Sequence, residues 1–300
     1  MTGSLSRRRW LQGAGASALL MGCSIAWAGK AGAGAKERLE AIHKRIGGRV
    51  GVHLLDTQTG QRIGLDDDTR YATASTFKML LAAAVLKRVD RGEVSLTQRI
   101  SYSEKDMLKV VSPVTAKHVA EGSLPVQDLC AAIVEVSDNT AANLLLKLIG
   151  GPPAVTKFAR ELGDEVTRLD RTEPELNTNI PGDPRDTTSP RAMVGTMQKL
   201  FTGGALSSAS VNLLTGWMIH ATPGLGRIRA GIPKSWKAGD KTGTGANGAV
   251  NDLAILWPPG RKPILMATYL SESTQSVEAL TAAHADIAKA LFDEREIVVA

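Results

Sequence analysis

Tyr71-Ala72-Thr73-Ala74-Ser75-Thr76-Phe77-Lys78-Met79-Leu80-Leu81 opens a long apolar run that continues to Val89. The run predicts a helix over Ser75–Val89. Before it, an amphipathic helix over Lys36–Arg45 stops at Gly47-Gly48. Arg49–Leu55 and Gln61–Leu65 then read as a strand hairpin around the turn 56–60. After it come helical runs at Val126–Val136, Thr140–Ile149, Val155–Leu162, Pro190–Phe201 and Ser207–His220. Strands return at Lys237–Gly243, Val250–Trp257 and Pro263–Leu270, and a helix over Gln275–Phe292 ends the pattern. Strands at both ends of a helical middle predict an α/β chain of the α+β type: an antiparallel sheet flanked by helices, with an all-helical domain inserted into it. The expected division is 29–70 with 215–300 for the α/β part and 71–214 for the helical part.

The chain has 300 residues, a net charge of +6, 43% apolar and 22% charged residues. Those proportions exclude a disordered or fibrous protein. Aromatics are only 4%, so no base-stacking nucleic-acid partner is expected. No apolar run reaches the roughly 18 residues of a membrane span. Two cysteines cannot make a disulfide framework. Cys130 lies in the apolar helical run Leu129–Ile133 and reads as a buried thiol rather than a reactive one. His43, His53, His118, His220 and His284 show no metal-ligand spacing, so neither a metal nor another cofactor is expected.

Ser75 and Lys78 are three residues apart, which places both side chains on one helix face. A serine hydroxyl needs a proton acceptor to become a nucleophile, and burial among Phe77, Met79, Leu80 and Leu81 favours the neutral, accepting form of a lysine. By itself Ser-x-x-Lys is frequent by chance, and a helix-start serine near a solvated lysine explains it as well. Two further motifs change that. Ser137-Asp138-Asn139 stands between two helical runs, where Asp138 or Asn139 would also serve as a helix cap. Lys241-Thr242-Gly243-Thr244-Gly245 stands at a strand end, and between the two motifs Leu169–Thr188 forms a long aperiodic stretch rich in Pro, Asn, Asp and Thr. A loop of that length inside a compact domain is either functional or disordered.

In this order the motifs resemble those of the penicillin-recognising serine enzymes, the set shared by class A β-lactamases and penicillin-binding proteins. Arg171-Thr172-Glu173-Pro174-Glu175-Leu176-Asn177 is similar to the omega loop of class A β-lactamases, here residues 169–188. The resemblance extends from about Arg38 to the C-terminus. It implies an active site between the sheet and the helical domain. It also implies hydrolysis of the β-lactam ring of penicillins and cephalosporins through a serine acyl-enzyme, and so antibiotic resistance.

On this resemblance Ser75 is the nucleophile, with the N–H groups of Ser75 and Thr244 as the oxyanion hole. Lys78 either takes the serine proton or assists Glu173 acting through water, Ser137 passes a proton to the lactam nitrogen, and Glu173 with Asn177 directs the hydrolytic water. Asn139, Lys241, Thr242, Gly243 and Thr244 bind substrate. Ala249-Val250-Asn251 offers no arginine where many members carry one, and Arg227 either supplies that charge or is merely solvated. Arg171 and Asp186 resemble the ion pair that pins the omega loop, the plainer reading being an exposed pair worth little. Val110-Val111 precedes Ser112-Pro113 where an aromatic is often found. Ala74 and Gly245 leave no place for the disulfide of some carbapenem-hydrolysing members. A D,D-peptidase or a β-lactam sensor that acylates and stops would share three motifs but lack the Glu173–Asn177 pair.

Residues 1–28 read as an export signal: Arg7-Arg8-Arg9-Trp10-Leu11, a soft apolar middle, then Ala26-Trp27-Ala28. The paired arginines resemble a twin-arginine signal. Leu20-Met21-Gly22-Cys23 resembles a lipoprotein box, which would make Cys23 a lipid anchor. Cleavage after Ala28, a periplasmic location and a monomer are expected. The three arginines make half of the net charge.

Overall fold

The structure is a computed structural model that describes residues 23–292; the proposed export signal lies outside the described residues as far as 22. Helix α1 (Cys23–Ile46) begins well before the expected Lys36, because the Ala/Gly stretch before that lysine joins it. Strands β1 (Arg49–Asp56) and β2 (Arg62–Leu65) form the expected hairpin, with Val52 opposite Leu65 and Leu55 opposite Arg62. Asp56 makes the turn, its carboxylate accepting from the Gln58 N–H at 2.8 Å. Two short strand pairs that the sequence did not foretell follow from packing. β3 (Tyr71–Ala72) pairs with β6 (Thr187–Thr188), and β4 (Arg99–Ser101) pairs with β5 (Ser123–Pro125). β7 (Lys237–Thr244), β8 (Val250–Trp257) and β9 (Ile264–Ser271) complete an antiparallel sheet in the order β2-β1-β9-β8-β7.

Both faces of this sheet are covered, which is why its inner strands β1, β8 and β9 are buried almost throughout. Alternate residues serve alternate layers. Val250, Ala254, Leu256, Ile264, Met266 and Leu270 face α1 and α10 (Val277–Phe292). Leu253, Ile255, Leu265, Ala267 and Tyr269 face the helices of the middle of the chain.

Those helices surround α2 (Phe77–Asp90), in which every residue from Phe77 to Leu86 is buried. An all-round apolar helix has to occupy the centre of its layer. It packs against α4 (Val126–Glu135), α5 (Asn139–Ile149), α6 (Pro152–Glu161) and α8 (Ser208–His220), with α3 (Pro113–Lys117) and α7 (Pro190–Phe201) in the same layer, while α9 (Ile228–Gly231) packs on α10 on the other face of the sheet. The expected start of α2 at Ser75 is displaced: Ala74–Thr76 form a separate 3₁₀ turn. Ala74 is held at φ 41° there, and the Thr76 hydroxyl donates to the Thr73 carbonyl at 2.6 Å.

Close packing of α9 on α10 depends on one missing side chain. A Cβ on Gly231 would lie 2.1 Å from the Ala285 carbonyl oxygen and 2.7 Å from the Ala288 methyl. Backbone on one side leaves no room for relaxation, so Gly231→Ala is expected to destabilise the fold by about 1–3 kcal/mol in urea unfolding, as overpacked cores do. An unchanged midpoint would show that α9 can move freely.

Candidate active site

Ser75 lies in the 3₁₀ turn that leads into α2, and that turn is tied down on three sides. The Thr73 N–H donates to the Asp186 carbonyl at 2.8 Å. The Asn251 carboxamide on β8 donates to the carbonyls of Ala72 at 2.9 Å and Thr73 at 3.2 Å. β7 passes alongside at Gly243, where a Cβ would meet Thr73 O at 2.9 Å and the N atoms of Ser75 and Thr76 at 3.1 Å. Glycine at this point of the Lys-Thr-Gly motif is what allows strand and turn to touch.

Lys78, one turn into the helix, is 0% exposed. Its Nζ lies 3.0 Å from Ser75 Oγ, 2.9 Å from Ser137 O, 3.3 Å from Ser137 Oγ and 2.9 Å from Glu173 Oε1, and it also contacts Asn139 Oδ1. Burial lowers its pKa, and the Glu173 carboxylate opposes that shift. From the opposite side Lys241 Nζ reaches Ser137 Oγ at 3.2 Å and donates to Thr242 O at 2.7 Å. Its own pKa is pulled down to about 7 by burial and by the charge of Lys78. Ser137 Oγ is thus bracketed by two buried amines.

Ser137 itself is held at φ 61°, and Asp138 explains how. The buried Asp138 carboxylate caps α5 through the Ala141 N–H at 2.8 Å. It also accepts from the Val114 and Thr115 N–H groups, both at 2.9 Å, and from the Thr115 hydroxyl at 2.9 Å. One side chain therefore knits the start of α3 to the start of α5 and fixes the turn between them. The capping half of that role is legible in the sequence; Thr115 as partner is not.

Glu173 is 2% exposed. Its Oε2 accepts from Asn177 Nδ2 at 2.5 Å, while Asn177 Oδ1 is buried with no donor among the described residues. Asn143 on α5, which sequence reading missed, fixes the Glu173 backbone at both ends. It accepts from the Glu173 N–H at 3.0 Å and donates to the Glu173 carbonyl at 2.9 Å. Arg171 Nε meets Asp186 Oδ2 at 2.5 Å, and the other oxygen of Asp186 accepts the N–H groups of Asp170 and Arg171. Asp186 is fully buried, so the reading of this pair as exposed and weak does not hold.

Arg227 is not solvated either. It is buried beneath β7, donating to the carbonyls of Gly243 at 3.0 Å and Asn251 at 2.5 Å and to Thr244 Oγ1 at 2.7 Å. Asp252 and Asp240 supply its countercharge, and Asp240 is ion-paired with Arg229. Burial pushes the Asp240 carboxyl up to about 6 and that of Asp252 well above the usual range. Arg229 and Asp252 carried no signal in the sequence, since a lone charged residue in an apolar strand or helix reads as surface. Cys130 is fully buried, which raises its thiol pKa. His284 is held between Thr268 Oγ1 at 2.5 Å and Val250 O at 3.0 Å, and burial lowers it to about 3. Among the described residues no group of three or more His, Cys, Asp and Glu side chains is placed to hold a metal ion.

The structure thus brings Ser75, Lys78, Ser137, Asn139, Glu173, Asn177 and Lys241 into one cluster, with Thr242, Gly243 and Thr244 along its edge and Arg227 behind it. The family described as "Beta-lactamase enzyme family" matches residues 34–294. Beta-lactamase CTX-M-97 of Escherichia coli is 46% identical over 81% of this chain and 83% of its own. Beta-lactamase L2 of Stenotrophomonas maltophilia is 44% identical over 91% of this chain and 94% of its own. Among solved structures, an ancestral class A β-lactamase superposes with a TM-score of 0.84 at 52% identity, covering 86% of this chain and 98% of the other. A β-lactamase from Xanthomonas campestris gives 0.85 at 48% identity, covering 88% and 98%. With Ser75, Lys78, Ser137 and Glu173 clustered between sheet and helices, and relatives that match along most of their length, the chain belongs to the class A serine β-lactamases.

Proposed function

We infer that the chain hydrolyses β-lactams through an ester on Ser75, and so confers resistance to penicillins and cephalosporins. The observation that carries this reading is Glu173: a buried carboxylate shared between Lys78 at 2.9 Å and Asn177 at 2.5 Å, in the same pocket as Ser75. A sensor stops after the first half of the reaction, and a D,D-peptidase passes its acyl group on without such a pair. Glu173 with Asn177 is apparatus for the second.

In acylation the Ser75 oxygen bonds to the lactam carbonyl carbon, and the N–H groups of Ser75 and Thr244 take the developing oxyanion. Lys78 touches Ser75 Oγ and takes its proton directly when neutral; when charged, it leaves that proton to Glu173 through a water. Ser137 Oγ, between Lys78 and Lys241, gives its proton to the nitrogen as the C–N bond breaks and recovers one from the lysine side. In deacylation Glu173 takes a proton from water as the water oxygen bonds to the ester carbonyl, and Ser75 leaves with a proton. Asn177 Oδ1 is the acceptor that orients this water. The substrate carboxylate meets Lys241 and the hydroxyls of Thr242 and Thr244. Because Thr244 Oγ1 accepts from Arg227, its own proton is turned toward the pocket, so Arg227 acts on substrate through that hydroxyl.

Turnover of a chromogenic cephalosporin checks the scheme. Ser75→Ala is expected to abolish it, and Glu173→Ala to stop after one equivalent with the ester visible by mass spectrometry. A single stoichiometric burst from the unaltered protein would overturn the reading. Lys241 adds a pH dependence. It loses its proton as pH rises through about 7, and with it the attraction for the substrate carboxylate, so KM should climb on the alkaline side. Lys241→Arg, which stays charged, is expected to remove that limb. An identical alkaline limb in Lys241→Arg would assign it to another group.

Export and assembly belong to the same proposal. The order of basic head, apolar middle and Ala26-Trp27-Ala28 supports twin-arginine export, cleavage after Ala28 and work in the periplasm, where the chain is proposed to act as a monomer. The intact mass of the secreted protein tests it: a chain starting at Gly29 is expected, whereas an acylated Cys23 would mean a lipid anchor instead.

A further inference from the structure

The segment that carries Asn177 runs on directly into a seam with the β7–β8 turn. Asn177 O accepts from the Ala246 N–H at 2.9 Å, and a Cβ on Gly245 would lie 2.8 Å from that same oxygen. Two asparagines close the seam by reaching into each other's backbone. Asn247 Nδ2 donates to the carbonyls of Thr178 and Asn179, both at 3.1 Å. Asn179 Nδ2 lies 3.2 Å from Ala246 O, 3.0 Å from Asn247 O and 2.9 Å from Ser271 Oγ. Both residues are left-handed, at φ 44° and 49°, a region that asparagine enters more readily than most residues and that turns each carboxamide back across the gap. The Glu272 N–H donates to Asn247 O at 2.8 Å and carries the tie into the end of β9.

We propose that Asn179 and Asn247 are positioning residues for hydrolysis of the ester, a latch that holds the omega loop against the β7–β8 turn and so fixes the Glu173–Asn177 pair. The inference rests on the role given to Glu173 above. The groups used to form the ester are anchored elsewhere: Ser75 by the turn before α2, Lys78 by α2 and Ser137 by Asp138. Glu173 and Asn177 share the loop with the latch. Asn177 in particular holds Glu173 with its side chain and the seam with its backbone. Thr244 keeps its own tie to Arg227, so on the route in which Lys78 takes the Ser75 proton, loosening the latch moves the hydrolytic pair and leaves the acylating groups in place.

Such a selective effect has a kinetic form that general destabilisation does not share. When ester hydrolysis becomes the slow step, kcat and KM fall together while kcat/KM, which reports acylation, stays put. Asn179→Gly and Asn247→Gly remove the carboxamides while keeping the left-handed backbone comfortable. With benzylpenicillin each is expected to lower kcat and KM together by about tenfold, the scale of a small displacement of a catalytic group, with kcat/KM changed less than about twofold. Quenched samples should show accumulated acyl-enzyme. The double variant should resemble either single one, because the two residues act as a unit. Asn247→Asp, which sets a carboxylate against the Thr178 and Asn179 carbonyls, should give the same pattern even if a glycine variant folds poorly. Unchanged kcat, or kcat falling at constant KM, overturns the latch. Glu173→Ala run alongside separates the two readings: a trapped ester there with normal kinetics in the asparagine variants removes the latch alone, whereas full turnover by Glu173→Ala removes the role of Glu173 and the latch with it.

Discussion

A lysine ammonium with no exposed surface is the constraint around which this molecule is arranged. Lys78 sits in a helix whose residues from Phe77 to Leu86 are all buried, and removing its charge from water costs several kcal/mol unless neighbours replace the lost solvent. Each replacement comes from a different part of the chain: Ser75 from its own turn, Ser137 and Asn139 from the turn before α5, Glu173 from the omega loop. Meeting the needs of one cation therefore assembles the whole cluster. It also explains why Glu173 is buried, since a carboxylate in that position is Lys78's only full countercharge among its contacts.

A second group of buried charges lies behind β7. Arg227, Arg229, Asp240 and Asp252 compensate one another beneath the strand that carries Lys241. Burying ions is a poor way to gain stability, and its value here is directional. Arg227 ties the Gly243 and Asn251 carbonyls and the Thr244 hydroxyl together, holding the strand edge in shape from the rear. Among the described residues Lys241 has no carboxylate against its Nζ, and burial and the charge of Lys78 pull its pKa down to about 7.

Much of this was legible because the chemistry is concentrated in short motifs on regular elements. Lys78 had to lie on the same face as Ser75, and strands at both ends of a helical middle foretold a sheet flanked by helices. The readings left open and the residues missed share a cause. Arg227, Arg171 and Asp186 were each open to a solvated reading because local sequence gives no measure of burial, and their partners lie on other segments. Asn143 and Thr115 went unnoticed for the same reason: an asparagine on a helix and a threonine beside a proline look ordinary until the omega loop and the Asp138 carboxylate arrive next to them. The start of α2 was misplaced because Ser75 belongs to a turn shaped by contacts with β7 and β8, which override helix propensity at its first residues.

By itself, then, the sequence determined the class of fold, the order of the catalytic motifs and the family, since all three are written in periodicities and short spacings within single elements. Only the tertiary structure decided which charges are buried, which amines flank Ser137, and how the omega loop is tied to β7. Those properties depend on distances between segments that are far apart along the chain, and burial is what turns those distances into pKa shifts and orientation.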